Sequence, residues 1–551
     1  MIATAALVFV LGRQSYDLII QNGTIVDGTG AKRYVADVAI QGDRIASIGH
    51  LAGAMAKRRV DARGLVVAPG FIDMMGQSEM VLLADGRAQS KIFQGITTEV
   101  TGEGESAAPA TAFTDKENKD SLDHIKVKAG WRDLRGYFIR LVQARPAINL
   151  ATFVGCGAVR MCVLKDENRA PKPAELKQMQ ALVRQAMEQG AIGVTTALMY
   201  SPDSYATTKE IIALAKAAAP YGGIYATHMR SESDDELESI DDAIRIGREA
   251  KIPVEIFHLK AAGINQWGMM PMILDKLMTA RAAGADITAD QYPYIAGENG
   301  LLACLPAWAQ EGGQEATIKR LKDPSLREKM KRDIRTPMKG VDNCYLDAGG
   351  GSGLMLSFSN SKLKKYDGKR LSEIAKLTGK TDELDAMFDL LTADRLQTDE
   401  IIFDMNEADV QRALTQPWIG VCCDAGEAAV DGILSKDMTH PRAFGTCARI
   451  LGKYVRDEKL LSLETAIYKL TKRSADRVHL KERGTLKTGY FADLTVFDPQ
   501  TISDRATFEK PMQLSTGMRY VLVNGQLVTD NGKETPARPG RPLLGPGYKA
   551  K

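Results

Sequence analysis

Histidine is scarce in this chain, six among 551 residues, and its seven cysteines include no Cys-x-x-Cys spacing. Without that spacing a zinc ribbon is excluded, and seven thiols over this length make no disulfide framework. Neither sign of charge is in excess, since 72 basic against 69 acidic residues leave a net charge of +3. Such a balance gives no reason to expect nucleic acid or an anionic membrane as partner. The basic clusters Lys319–Lys322 and Lys329–Arg332 alternate with acids and read as solvated helix faces. No apolar run reaches the roughly 20 residues of a membrane-spanning helix. The opening stretch, Met1 to Leu11, is too short to span and lacks the basic start of a secretory signal. Residues 1–15 therefore read as the remnant of an export signal, implying a periplasmic or secreted protein; the alternative is a false start before a cytoplasmic enzyme that begins near Tyr16.

What is present is an ordinary globular composition, 44% hydrophobic and 26% charged, on a chain longer than one typical domain. Against that background two of the rare histidines stand out. His228 and His258 close Tyr225-Ala226-Thr227-His228 and Glu255-Ile256-Phe257-His258, short apolar runs that predict buried strands. Their separation is that of one β/α unit, so the two imidazoles point from adjacent parallel strands into one crevice. Neutral imidazole is a preferred ligand for zinc and similar ions. Two unrelated core histidines would explain either residue alone, but not two at matching strand ends.

Strand-like and helical runs alternate from about 69 to 480, with helical periodicity clearest in 172–189 and 234–250. Alternation with ligands at strand ends predicts an α/β fold, a (β/α)8 TIM-like barrel. Residues 299–400 interrupt the rhythm and predict an inserted lid subdomain, with Gly349–Gly353 as its flexible hinge rather than a phosphate loop, because no Gly-Lys-Ser/Thr ending follows. A second excursion, 114–135, lies either over the mouth or exposed. The front segment Leu18–Gly28 resembles the back segment Tyr520–Thr529, and each contains an Asn-Gly that predicts a hairpin turn. Residues 16–68 and 481–551 are thus expected to form one small β-sandwich domain from both chain ends.

Pro69-Gly70-Phe71-Ile72-Asp73-Met74-Met75-Gly76, Gly95-Ile96-Thr97-Thr98-Glu99-Val100-Thr101-Gly102, Gly193–Pro202, the two histidine segments, Thr288–Tyr294 and Asp424 before His440-Pro441-Arg442 resemble, in order, the amidohydrolase superfamily. The specific likeness is to its N-acyl-D-amino-acid deacylase (D-aminoacylase) branch. One departure is large: the superfamily's His-x-His after the first strand is here Met75 and Gln77, poor ligands for a borderline cation. The resemblance therefore implies one tightly bound ion, most naturally Zn2+, rather than two. Where the branch holds that ion with a cysteine, this chain aligns Glu103, giving Glu103, His228 and His258 as the ligand set; Glu105 is the alternative if the segment stays extended.

The same resemblance assigns Asp424, at the end of the apolar run Trp418–Cys423, as general acid and base. Lys260, Tyr292 and Arg442 stand where the branch binds a substrate carboxylate, a task suited to an ammonium and a planar guanidinium. Tyr200 is a candidate hydrogen-bond donor to the developing oxyanion. The implied activity is metal-dependent hydrolysis of N-acyl amino acids, a small-molecule amide bearing a carboxylate. The alternatives are a dihydroorotase-like or isoaspartyl-dipeptidase-like hydrolase, and a metal-free binding protein.

Overall fold

The computed structural model describes residues 15–337, 342–359 and 362–550. The opening residues on which the export reading rests lie outside these. Among the described residues no helix is long and apolar enough to cross a membrane.

The front of the chain forms β1 (Ser15–Ile25), β2 (Tyr34–Gln41), β3 (Arg44–Gly49), β4 (Met55–Asp61) and β5 (Val66–Pro69). β1 pairs antiparallel with β2, in parallel with β4 along its first half, and in parallel with β5 at its end. The hairpin expected at Asn22-Gly23 is absent. Asn22 takes a positive φ of 60°, and the register with β2 shifts between Ile20 and Gly23, so the pair is a β-bulge inside one strand. The residues on both sides of it pair with the same partner, which leaves no room for a turn.

The middle of the chain supplies parallel strands. β6 (Phe71–Asp73), β7 (Ile96–Thr101) and β8 (Asn149–Thr152) pair in that order. After Phe153 the chain continues as β9 (Val154–Gly155), beside β10 (Gly193–Ala197), β11 (Ile224–His228), β12 (Val254–Ile256) and β13 (Ile287–Ala289). Nearly every residue of these strands is buried, as parallel strands covered on both faces require. The covering helices fall where the periodicity places them, at Pro173–Gln189 and Glu236–Ala250. The first buries Met179, Val183, Ala186 and Met187 on one face, starts on a proline and stops at Gly190, whose φ of 111° suits a helix C-terminus.

Trp418–Cys423 was expected as the last strand of this set and makes only one isolated bridge, Ile419 to Ala289. Its backbone nevertheless bonds on both sides. Gly420 and Cys422 donate N–H to Ala289 O (2.8 Å) and Gln291 O (3.2 Å), next to β13. Met74 donates to Val421 O (3.4 Å), and Asp424 donates to Met75 O (2.9 Å), next to β6.

Between these lies an insertion with its own sheet, β14 (Gly297–Gly300), β15 (Leu354–Phe358) and β16 (Asp399–Ile402), antiparallel in the order β14-β16-β15. It has a separate core that includes Leu301, Leu321, Leu354, Leu371 and Phe388. The glycines at 349–353 are a pinned turn rather than a loose hinge: Gly350 donates to Tyr345 O (2.7 Å), Gly351 to Glu383 Oε2 (2.8 Å) and Gly353 to Gly350 O (3.0 Å).

The chain returns as β17 (Leu494–Phe497), β18 (Met518–Val523), β19 (Gln526–Asp530) and β20 (Lys533–Glu534). β17 pairs antiparallel with β5, so both chain ends belong to one hydrogen-bonded sheet of nine strands. The reason is the length of β1, which serves β4 and β5 in succession. Here Asn524-Gly525 does form the expected hairpin, with φ of 47° and 79°, the pair of positive values that a type I′ turn needs.

Candidate active site

The histidines meet at the strand ends. His228 is the last residue of β11 and His258 lies two residues past β12, with His228 Nδ1 3.1 Å from His258 Nε2. Glu103, two residues past β7, puts Oε1 2.9 Å from His258 Nε2 and 3.2 Å from His228 Nδ1. Glu105 does not reach them. Gly102 and Gly104 take positive φ of 101° and 60°, so the chain turns after β7 instead of staying extended, and Glu105 lines a neighbouring cavity.

One ligand atom from each of Glu103, His228 and His258 lies within 4.8 Å of the others, a set of two imidazole nitrogens and one carboxylate oxygen whose donor types suit a divalent ion. His228 Nε2 is buried without a hydrogen-bond partner, so its ring is not consumed by ordinary structural bonding. Burial opposes ionisation of Glu103, but the two imidazoles outweigh it and hold the carboxyl well below the usual carboxylate range. Burial and Lys260 both oppose protonation of His258; Glu232, Asp424 and Glu103 prevail and raise it to about 10. The second group with such spacing, Cys304, Cys344 and Glu400, sits in the insertion, where both thiols are pushed up.

Glu232 escaped the sequence reading. Its Oε1 stands 2.9 Å from His258 Nδ1 and its Oε2 2.5 Å from Lys260 Nζ, so it orients the ring from behind. Its position four residues after His228, at the end of the same strand, was the available signal. Also missed were three buried charges below the crevice. Lys91 Nζ bonds Asp73 Oδ2 (2.8 Å) and lies 3.4 Å from Glu99 Oε1, while Asp73 Oδ1 accepts from Cys423 N (2.8 Å). They lock the ends of β6 and β7 to the segment that carries Asp424. Charged residues inside otherwise apolar runs were their signature.

Asp424 has φ of 49° and His258 φ of 37°, left-handed conformations uncommon for these residues and typical of functional positions. His258 is held there by its N–H donating to Asp290 Oδ1 (2.7 Å). Asp424 Oδ2 is 2.5 Å from Arg442 Nη1, and Oδ1 accepts from Gln77 Nε2 at 3.1 Å. The same Gln77 nitrogen donates to Glu103 Oε2 at 3.1 Å, so the residue standing in a histidine's place bridges the two carboxylates. Met75 is buried and offers its carbonyl to Asp424 N. Burial raises the Asp424 carboxyl above its ordinary value despite Arg442 beside it.

Lys260, Tyr292 and Arg442 come together around this centre. Arg442 stacks 4.7 Å above the Tyr292 ring, and Lys260 Nζ is 5.8 Å from the same ring. The Tyr200 ring lies 5.0 Å from that of His228, and its hydroxyl accepts from Asn299 Nδ2 (3.3 Å). Burial pushes the Tyr200 phenol well up, so it remains a proton donor. All eight residues line one cavity of about 310 Å³. The 112–124 helices border the adjacent one, about 450 Å³, through Asn118, Ser121 and Leu122.

Residues 375–529 match the amidohydrolase family. The chain is 36% identical to D-aminoacylase from Alcaligenes xylosoxydans xylosoxydans, over 96% of this chain and 98% of that one. Among solved structures it resembles N-acyl-D-glutamate deacylase from Bordetella bronchiseptica, complexed with zinc and a phosphonate mimic of the tetrahedral intermediate (TM-score 0.80, 31% identity, 96% and 100% coverage). It is equally similar to a D-aminoacylase with a binuclear metal centre described as showing one-metal activation and second-metal attenuation (TM-score 0.80, 34% identity, 96% and 100% coverage). The chain belongs to the D-aminoacylase family of amidohydrolases.

Proposed function

We propose that the protein hydrolyses the amide bond of N-acyl-D-amino acids, using one divalent ion, most naturally zinc, held by Glu103, His228 and His258. The observation that carries this reading is the convergence of those ligand atoms within 4.8 Å, with Asp424 tied to Glu103 through the Gln77 amide. The eight parallel segments form a closed (β/α)8 barrel with 418–424 as the last stave, as its hydrogen bonds to both neighbours support. Residues 299–400 act as a lid over its mouth, the barrel occupies 69–480, and the flanking domain comprises 16–68 and 481–551.

When bound, the ion supplies Lewis acidity toward the scissile carbonyl and acidifies water. Asp424 Oδ1 accepts the proton of the attacking water and passes it to the leaving nitrogen as the C–N bond breaks, giving a carboxylate and a free amino acid. Burial raises this carboxyl above its ordinary value against the pull of Arg442, which makes it a better proton acceptor than an exposed aspartate. Tyr200, kept protonated, donates to the developing oxyanion. Lys260 and Arg442 bind the substrate carboxylate with Tyr292 between them. Met75 and Gln77 leave no histidine pair for a second ion, and the Gln77 amide takes over the bridging of Glu103 and Asp424. The test is hydrolysis of N-acetyl-D- and N-acetyl-L-amino acids by metal-stripped and zinc-restored protein. D-selective, zinc-dependent release of amino acid is expected; L-selective or metal-independent turnover would contradict the reading.

A further inference from the structure

The cavity over the site is crowded with carboxyls. Besides the catalytic groups it is lined by Asp342, Asp347 and Asp404, which surround the Lys260 side of the wall, and by Glu298 and Asp399 from the insertion's sheet. The lysine and arginine on that wall, Lys260 and Arg442, are already matched by Glu232 and Asp424 at 2.5 Å each. Asp342 is partly satisfied, accepting from Glu232 N (2.7 Å) and Ser233 Oγ (2.9 Å). Asp404 is not: it is only 7% exposed, and its Oδ1 has no hydrogen-bond partner. Burial, reinforced by neighbouring carboxyls, pushes Asp347 up to about 8, and burial outweighs the nearby Lys260 to push Asp404 up to about 7. An incoming cation would favour the ionised form of these carboxyls and supply the donor that Asp404 Oδ1 lacks.

The cation is not a metal ion. Among the described residues the groups whose ligand atoms lie within 4.8 Å of one another do not include these three aspartates. Spread acceptors suit a multi-donor organic cation on a flexible stem. Resting on the deacylase reading above, we propose that Asp342, Asp347 and Asp404 form the side-chain subsite and that it takes a guanidinium or ammonium, making N-acyl derivatives of D-arginine or D-lysine the preferred substrates. A glutamate side chain, the kind named for the Bordetella relative, would bring one more acidic group to a wall that already holds three and would donate nothing to it when ionised. A neutral side chain would leave Asp404 Oδ1 unsatisfied.

The experiment compares kcat/KM of the zinc enzyme on N-acetyl-D-arginine, -lysine, -leucine and -glutamate. We expect arginine or lysine to exceed leucine by about tenfold or more and glutamate by about a hundredfold or more, the scale of discrimination that buried polar recognition gives. Asp404→Asn and Asp347→Asn should each shrink the cationic-to-leucine ratio by about tenfold, mainly through KM, as removal of binding to the substrate side chain requires. Glutamate or leucine leading the series, or ratios unchanged in both variants, would overturn this inference and leave the deacylase reading standing. No turnover of any of the four would overturn both.

Discussion

Glu232 and Asp424 act through different atoms, and their variants separate orientation from chemistry. Glu232 touches His258 on the nitrogen away from the ligand set, so Glu232→Gln should weaken metal affinity tenfold to a hundredfold, on the order seen when a ligating histidine loses its outer carboxylate. Equilibrium zinc competition measures this, and unchanged affinity would show that the ring needs no such support. Asp424→Asn retains the hydrogen bond from Gln77 but cannot take a proton. It should lower kcat on the order of a hundredfold or more with zinc content unchanged. Metal loss in that variant would instead make Asp424 a ligand. His228 and His258 were legible as strand-end ligands because the residues before them are apolar. Glu103 was preferred over Glu105 by alignment alone, since the geometry behind the choice lies in two positive-φ glycines that end the strand, and a sequence does not display φ.

At the scale of elements, the same dipeptide has two outcomes. Asn524-Gly525 turns a hairpin whereas Asn22-Gly23 bulges, and the difference lies in the partner strand: β2 continues past Asn22, while the chain after Gly525 folds back as β19 onto β18. A Cβ on Gly525 would lie 2.0 Å from Gly42 O, at a φ of 79° that disfavours a side chain. Gly525→Ala should therefore cost about 2 kcal/mol or more and lower Tm, with the active-site ligands in place. An unchanged Tm would mean that the turn can shift away from Gly42. The parallel strands and their helices were readable from periodicity because each period has one structural solution. The segment 418–424 was readable as an apolar run, but that it bonds through a single bridge was not, because its backbone partners beside β6 and β13 are distant in sequence.

The whole molecule is closed by its two ends. β17 from the back pairs with β5 from the front, and Leu494, Val496 and Leu522 share a core with Leu18, Ile20 and Val38. A chain ending at residue 480 would leave that core open and an apolar strand edge unpaired, so it should be recovered as aggregate. Soluble, zinc-binding protein of that length would show that the ends are dispensable. The central claim at this scale is that one ion suffices, because the places of the superfamily's first histidine pair hold Met75 and Gln77. Titrating metal-free protein with zinc, while following both bound metal and hydrolysis of an N-acetyl-D-amino acid, tests it most directly. Activity should rise to a plateau at one equivalent and show neither gain nor attenuation at a second. A rate that still climbs toward two equivalents, or a second tightly bound ion that slows the enzyme, would contradict the account.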